Sequence, residues 1–300
     1  MPVMTSSFWR PPVVAVTLAA ALLAGVTPLH ASEDSADQRW QALRAESRQA
    51  LSTLVQPWTP PVGIVADVPE HRAPAQPRMI VIGFTGGLEG ENSRVSGVVR
   101  LRRKIDEQAG AAHGVVALAY SNFSWRRAAE EVVALSQPAA GEMAGAAHRT
   151  ATAGVVTQPL IVVYGHSWGG GAITKFARAL RERRLEVGLA VYVDAFTLRT
   201  PRVPDNVRYA VNVYQRTGIF RGLPLRGKRT LTPEAPESTV VLANLRITPD
   251  TAHFGWNWNL VQPLLYRHHH RIGHDVRIQN YLLDLIAADL DGDQPGQSGV

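Results

Sequence analysis

The segment around residue 167 constrains this chain more than any other. Residues 160–164 (LIVVY) form an apolar run, residues 165–171 (GHSWGGG) follow, and a helical pattern begins at residue 172. A strand that turns directly into a helix needs glycines where the two elements approach closely. The residue at the apex of such a turn adopts a strained backbone conformation. Ser167 at this apex would lie at a helix N-terminus, where N–H groups favour developing negative charge. A glycine-rich turn with an incidental serine is the alternative.

Apolar runs alternate with helical patterns over most of the chain. Strands are predicted at 79–84, 115–120, 160–164, 189–193, 207–214 and 239–247, and helices at 95–109, 126–134, 171–184 and 276–290. Runs that are apolar on both faces and separated by helices are typical of a mostly parallel sheet covered on both sides. We therefore predict an α/β fold, with a doubly wound, mostly parallel sheet in a single domain over residues 78–290.

The N-terminus has the order of a secretory signal. Residues 11–26 are rich in Val, Ala and Leu, follow Arg10, and lead into a short segment that ends at Ala31. This run is shorter than the about 20 residues that a membrane-spanning helix needs. We predict a signal peptide over residues 1–31, a secreted or periplasmic protein, and no membrane span after cleavage. An uncleaved interfacial anchor is the alternative.

The remaining segments are assigned from composition and spacing. Apolar residues recur at helical spacing over 35–54, which predicts an amphipathic helix at the domain edge, and six prolines over 57–77 predict an extended lead-in. Residues 32–77 are thus the lead-in to the domain, and 291–300 a flexible tail. The Ala- and Gly-rich segment 138–153 is a helix or an insertion. The chain has no Cys, so its core alone holds the fold.

Two motifs carry a resemblance to a known family. The pentapeptide GHSWG, residues 165–169, resembles the nucleophile elbow of the α/β-hydrolase superfamily, and the resemblance extends from residue 79 to the C-terminal helix. IGFTGG, residues 82–87, is similar to the His-Gly-x oxyanion loop of that family, with Ile82 in place of His. The resemblance implies that Ser167 is a nucleophile and that the backbone N–H groups of Phe84 and Trp168 bind an oxyanion.

A serine nucleophile needs a base and an acid that orients the base, and the family supplies them in the order Ser, acid, His. Asp194 directly follows the run 189–193, at the C-terminal edge of the predicted sheet, where ligands bind. After the next run the sequence offers Gln215 and Arg216, while Asp205 precedes that run and lies at the opposite edge. We therefore predict Asp194 as the acid, and a structural turn Asp is the alternative.

Four late histidines are candidates for the base: His268, His269, His270 and His274, in the loop predicted before the last helix. Relatives with similar C-termini carry a His three residues ahead of an apolar residue, which matches His269 and Ile272. The resemblance thus implies His269, while the other three stay open. Adjacent imidazoles also ligate zinc, but His253 alone gives little support elsewhere, so we predict no metal.

The resemblance implies an exported serine hydrolase that cleaves carboxylic esters, esterase-like or lipase-like, through an acyl-enzyme. Its substrate would be a small-molecule or lipid ester, and no cofactor is expected because the chain supplies the reacting groups. A thioesterase or acyltransferase on the same fold is one alternative. Residues 253–259, rich in aromatics, would wall the pocket, form a lid, or simply pack.

The charge of the chain bears on a further alternative, a catalytically silent binding protein that recognises polyanions through arginine. The chain has 31 Lys plus Arg against 25 Asp plus Glu, a formal net charge of +6. This excess is mild, and the spacing of its basic stretches, 100–104 and 216–229, does not show one face interleaved with stacking aromatics. We therefore expect no nucleic-acid partner. The oligomeric state stays open.

Overall fold

The computed structural model describes residues 33–54, 77–87, 89–110, 113–137, 158–197, 202–217, 226–249 and 267–291. Several predicted segments lie outside these residues. They are the signal peptide, most of the proline-rich lead-in, the segment 138–153, the aromatic segment 253–259 and the tail beyond residue 291.

The described helices are α1 (Glu33–Ser52), α2 (Gly97–Ala109), α3 (Trp125–Leu135), α4 (Gly169–Glu182), α5 (Arg267–Ile272) and α6 (Val276–Asp291). The described strands are β1 (Met79–Phe84), β2 (Val115–Tyr120), β3 (Leu160–His166), β4 (Val187–Val193), β5 (Arg202–Val203), β6 (Val207–Tyr214), β7 (Thr232–Pro233) and β8 (Val240–Arg246). Every predicted strand and helix in the described residues is present: the strands at 79–84, 115–120 and 207–214 have the predicted bounds, and the bounds of the other elements shift by at most two residues.

Two features differ from the sequence-based expectation. The loop predicted before the last helix contains the six-residue helix α5, which ends directly before Gly273. A helix this short shows no repeat of apolar residues, so its sequence carries no periodic signal. The two-residue strands β5 and β7 pair with each other apart from the main sheet, and they are likewise too short to show alternation.

The main sheet has six parallel strands in the order β2-β1-β3-β4-β6-β8. With helices on both faces, this sheet confirms the predicted α/β class with a doubly wound, mostly parallel sheet. The central strands β1 and β4 are buried along their whole length, whereas β8 at the edge is largely exposed. The order reverses between β1 and β3, and ligands of such sheets bind at the carboxyl ends beside this reversal.

Two apolar layers cover the sheet. Helices α1, α2 and α6 pack on one face, and α3 and α4 pack on the other. Helix α1 belongs to the first layer, because its buried Trp40 lies 5.8 Å from the Tyr281 ring of α6 and Ser47 shares a 2.7 Å hydrogen bond with the Tyr281 hydroxyl. Within the described residues, no helix combines the length and the apolar character that crossing a membrane requires.

Candidate active site

Ser167 occupies the turn between β3 and α4. Its φ of 57° lies in the left-handed region, which non-glycine residues seldom adopt and which marks a strained position. The Ser167 N–H donates to the Val193 carbonyl at 3.0 Å, and the Ser167 carbonyl accepts from the Gly170 N–H at 3.0 Å. The serine is therefore fixed between the end of β4 and the first turn of α4, at the carboxyl edge of the sheet.

The glycines around Ser167 meet a packing requirement. A Cβ at Gly165 would lie 2.7 Å from the backbone of Gly169, and a Cβ at Gly169 would lie 2.2 Å from the Phe84 carbonyl oxygen. A Cβ at Gly170 would come within 2.3 Å of the Ala195 Cβ. No side chain fits at these distances, so the glycine spacing permits the sharp strand-to-helix turn, as the sequence predicts.

Ser167, His269 and Asp194 form one chain of hydrogen bonds. The Ser167 hydroxyl donates to Nε2 of His269 at 2.7 Å, and the Nδ1–H of His269 donates to Oδ2 of Asp194 at 2.7 Å. An ionised carboxylate only accepts, so it fixes the tautomer that leaves Nε2 free to accept the serine proton. Asp194 and His269 are 0% and 2% exposed, and Ser167 is 5% exposed. The structure thus brings together three of the predicted site residues from separate elements.

Asp194 is itself held in place by the loop after β6. It follows β4 with a φ of 42°, and its N–H donates to the Val213 carbonyl at 2.7 Å. The Gln215 side-chain amide donates to Oδ2 at 3.1 Å, and the Gly227 N–H donates to Oδ1 at 2.7 Å. These donors satisfy the buried carboxylate and orient it toward His269.

Gln215 and Gly227 are residues that the sequence reasoning missed. Gln215 follows β6, and its side-chain amide holds the carboxylate of Asp194, which follows the neighbouring strand β4. Gly227 gives no sequence signal, yet a Cβ there would lie 2.6 Å from the Asp194 Cα. Any larger residue at this position would therefore displace Asp194.

His166 packs against the base. Its ring centroid lies 4.8 Å from that of His269, and its Nε2–H donates to the His269 carbonyl at 2.8 Å. Burial lowers the pKa of His166 well below its usual range, and the nearby His269 and His270 lower it further. A Cβ at Gly273 would lie 3.1 Å from this ring. His166 is therefore neutral at ordinary pH and supports the backbone of α5.

The loop after β1 borders the serine on the other side. Phe84 is the last residue of β1 and pairs with Gly165, and its fully buried ring packs 5.5 Å from Phe176. Successive amides of a paired parallel strand face alternate neighbours. The Thr85 N–H donates to Tyr120 of β2 at 2.9 Å, so the Phe84 amide faces β3, the strand that leads to Ser167.

Trp168 and Gly86 lie beside the serine, Trp168 as its neighbour in the chain and Gly86 in the loop after β1. Trp168 precedes the first residue of α4, where N–H groups have no partner within the helix. A Cβ at Gly86 would lie 3.0 Å from the Ser167 Cβ. The roles of Phe84 and Trp168 as oxyanion donors remain predictions, and Gly86 joins them as a neighbour that the sequence did not single out.

A second carboxyl group lies near the base. Burial raises the pKa of Glu89, while the Ser96 hydroxyl, the Gly86 N–H and the nearby His269 act in the opposite direction. Glu89 closes the loop after β1, because its N–H donates to the Gly86 carbonyl at 3.0 Å and its carbonyl accepts from the Thr85 hydroxyl at 2.7 Å. These two hydrogen bonds shape the loop that borders Ser167.

The other late histidines differ from His269 in their surroundings. Burial and the nearby Arg100 lower the pKa of His274 to about 4, and burial also lowers the pKa of His270. Both imidazoles are therefore neutral at pH 7. Across the described ranges, no group of three or more His, Asp or Glu side chains is arranged to hold a metal ion, and His253 lies outside them.

We expect Asp194→Asn to lower kcat/KM for a simple ester by about 10³- to 10⁴-fold, because an amide at this position favours the wrong His269 tautomer. The matched control is Asp205→Asn. Asp205 is the rival acid of the sequence, and the structure pairs it with Arg181 at 2.8 Å on the exposed surface. The measurement is steady-state hydrolysis by both purified variants. Equal activity of the two variants would contradict a role for Asp194.

No family model matches the chain, and no curated protein sequence is significantly similar. Among solved structures, Est1E from Butyrivibrio proteoclasticus is similar with a TM-score of 0.30 and 12% identity, over 71% of this chain and 90% of that chain. A Trichoderma reesei cutinase in complex with a C11Y4 phosphonate inhibitor has a TM-score of 0.29 and 10% identity, over 87% of this chain and 93% of that chain.

Proposed function

We propose that this protein is a serine hydrolase that cleaves carboxylic esters. The observation that carries the proposal is the hydrogen-bonded chain from Ser167 through His269 to Asp194, with 2.7 Å at both steps. Such a chain activates a serine hydroxyl, which is otherwise a weak nucleophile at neutral pH. The strained backbone of Ser167 and its place at the start of α4 support the same role.

The proposed reaction runs in two halves. In the first, Ser167 Oγ attacks the ester carbonyl while His269 Nε2 takes the hydroxyl proton, and Asp194 stabilises the imidazolium. The carbonyl oxygen becomes an oxyanion, for which the amides of Phe84 and Trp168 are the proposed donors. His269 then passes its proton to the leaving alcohol oxygen, the bond to the alcohol breaks, and an acyl-Ser167 ester remains.

The second half repeats these steps with water. His269 takes a proton from water, the hydroxide formed attacks the acyl carbonyl, and the proton returns to Ser167 Oγ as the carboxylic acid leaves. All reacting groups come from the chain, so the reaction needs no cofactor. We include export in the proposal because residues 1–31 have the order of a secretory signal, and the substrate is then a small-molecule or lipid ester met outside the cytoplasm.

Two other functions use the same fold. A thioesterase or acyltransferase differs in the leaving group or in the acceptor that releases the acyl-enzyme. A silent binding protein would need no hydrogen-bonded base. Ser167, His269 and Asp194 are buried and aligned, and two of them, Ser167 and Asp194, have a left-handed φ. This favours an enzyme, because such strain persists where function requires it.

The test is acyl transfer from p-nitrophenyl acetate to the full-length protein, followed by rapid acid quench and peptide mass analysis. We expect one acetyl group on the peptide that contains Ser167, and none in Ser167→Ala. Adding a short alcohol or a thiol then identifies the acceptor. If the alcohol or the thiol releases the acetyl group from Ser167 faster than water does, the result favours the transferase. A folded wild-type protein that carries no acetyl group would contradict an enzyme.

A further inference from the structure

Large apolar side chains are exposed at two places in the described part of the chain. Val240 is 50% exposed on the edge strand β8. Phe123 and Trp168 are 65% and 41% exposed, and they contact each other, with ring centroids 6.5 Å apart and planes at 80°. Contiguous exposed aromatic surface on a soluble domain marks a place where a ligand or partner binds.

This aromatic pair borders the candidate active site. Trp168 directly follows Ser167, so its side chain begins beside the nucleophile. Phe123 lies in the loop after β2, and its neighbour Asn122 donates from Nδ2 to the Gly87 carbonyl at 2.5 Å. Gly86, next to that carbonyl, is the glycine that abuts Ser167. The loop of Phe123 is thus tied to the same backbone that borders the serine.

The loop also holds Phe123 in a fixed position. The Ser124 N–H donates to the Ser121 carbonyl at 3.0 Å, and the two serine hydroxyl groups share a hydrogen bond of 2.9 Å. Phe123 is therefore a central residue of a closed four-residue turn that leads into α3. An aromatic ring on a rigid turn loses little conformational entropy when it binds a ligand.

The strand order decides which part of an ester would reach the pair. His269 and Asp194 lie on the β4 side of Ser167, because Asp194 directly follows β4 and is hydrogen-bonded to His269. The leaving alcohol must lie near His269 to receive its proton. Phe123 follows β2, on the opposite side of β3 across β1. With the leaving alcohol on the β4 side, the side of Ser167 that faces β1 and β2, where Phe123 and Trp168 lie, is left for the carbonyl oxygen and the acyl group.

We propose that Phe123 and Trp168 form an aromatic platform that makes the enzyme prefer esters with an aromatic acyl group. The proposal rests on the proposed ester hydrolase function. Rings at 80° leave a ring face and a ring edge open to a third aromatic group, and aromatic contacts are stabilised beyond the burial of apolar area. An alkyl acyl group of the same size is stabilised only by the burial of its apolar area, because it has no aromatic ring.

The experiment compares methyl 3-phenylpropanoate with methyl 3-cyclohexylpropanoate, which share the leaving group and the number of acyl carbons. Each ester is tested in the dissolved state and as an emulsion, and hydrolysis is followed by acid release at constant pH. For the full-length wild type we expect a higher kcat/KM with the phenyl ester. In Phe123→Ala and in Phe123→Leu, which keeps apolar volume without a ring, the ratio of the two kcat/KM values should fall by about 2- to 12-fold. Val240→Ala, which removes exposed apolar surface on β8, should leave the ratio unchanged.

The outcomes separate the two proposals. An unchanged ratio in both Phe123 variants, or an equal loss with both esters, would overturn the aromatic platform and leave the hydrolase standing. Loss confined to emulsified ester would also overturn it, in favour of adsorption to an apolar surface. Wild-type protein that hydrolyses neither ester, and forms no acyl-Ser167 with p-nitrophenyl acetate, would overturn the hydrolase and the platform together.

Discussion

Ser167→Ala is expected to lower kcat/KM for methyl hexanoate by about 10⁴- to 10⁶-fold, the largest effect of any single change in this chain. The hydroxyl is the atom that forms the acyl bond, and the residual rate would come from binding and oxyanion donors alone. The substitution keeps Cβ at the left-handed φ of 57°, so the backbone strain is similar in both proteins. We therefore expect nearly the same unfolding midpoint.

The matched control for this change is Ser52→Ala. The Ser52 hydroxyl is exposed on α1 and donates only locally, to the Gln49 carbonyl at 2.8 Å. Hydrolysis by this variant should equal that of the wild type. A Ser167→Ala protein that is folded and retains more than a hundredth of the wild-type kcat/KM would contradict the assignment of the nucleophile.

His269→Ala is expected to have an effect of similar size, about 10⁴- to 10⁶-fold on kcat/KM, because without the base the serine proton has no acceptor. The double variant Ser167→Ala/His269→Ala should be no slower than either single variant, since the two residues act as one unit. Steady-state hydrolysis of the three proteins measures this non-additivity.

His268→Ala is the comparison that tests which histidine acts. His268 precedes His269 on α5, while the 2.7 Å bonds to Ser167 and Asp194 both come from His269. We expect His268→Ala to retain most of the wild-type activity. If His268→Ala lost activity while His269→Ala kept full activity, the base would be His268, and this result would contradict the geometry.

The sequence predicted the parts of this structure that have local signals. Strands buried on both faces appear as continuous apolar runs, so the six strands of the main sheet and their helices could be located, and the glycines around Ser167 revealed the turn. Asp194 could be chosen over Asp205 because the end of a parallel strand determines the edge of the sheet that a residue reaches.

Other parts of the site depend on contacts between distant segments. Helix α5 is too short for a periodic pattern, and among four nearby histidines the choice of His269 came from resemblance rather than from spacing. Gln215 and Gly227 bind Asp194 from 21 and 33 residues away along the chain, and no local sequence pattern predicts such contacts. The pairing of Phe123 with Trp168 likewise follows from the strand order and not from either segment alone.

The central claim is that Ser167 is a nucleophile activated by His269. Its most direct test is labelling of the purified full-length protein with a fluorophosphonate probe, with Ser167→Ala and His269→Ala measured beside the wild type. We expect stoichiometric labelling of the wild type on Ser167, none in Ser167→Ala, and strongly slowed labelling in His269→Ala. A folded wild type that stays unlabelled, or a Ser167→Ala protein that labels as fast as the wild type, would contradict it.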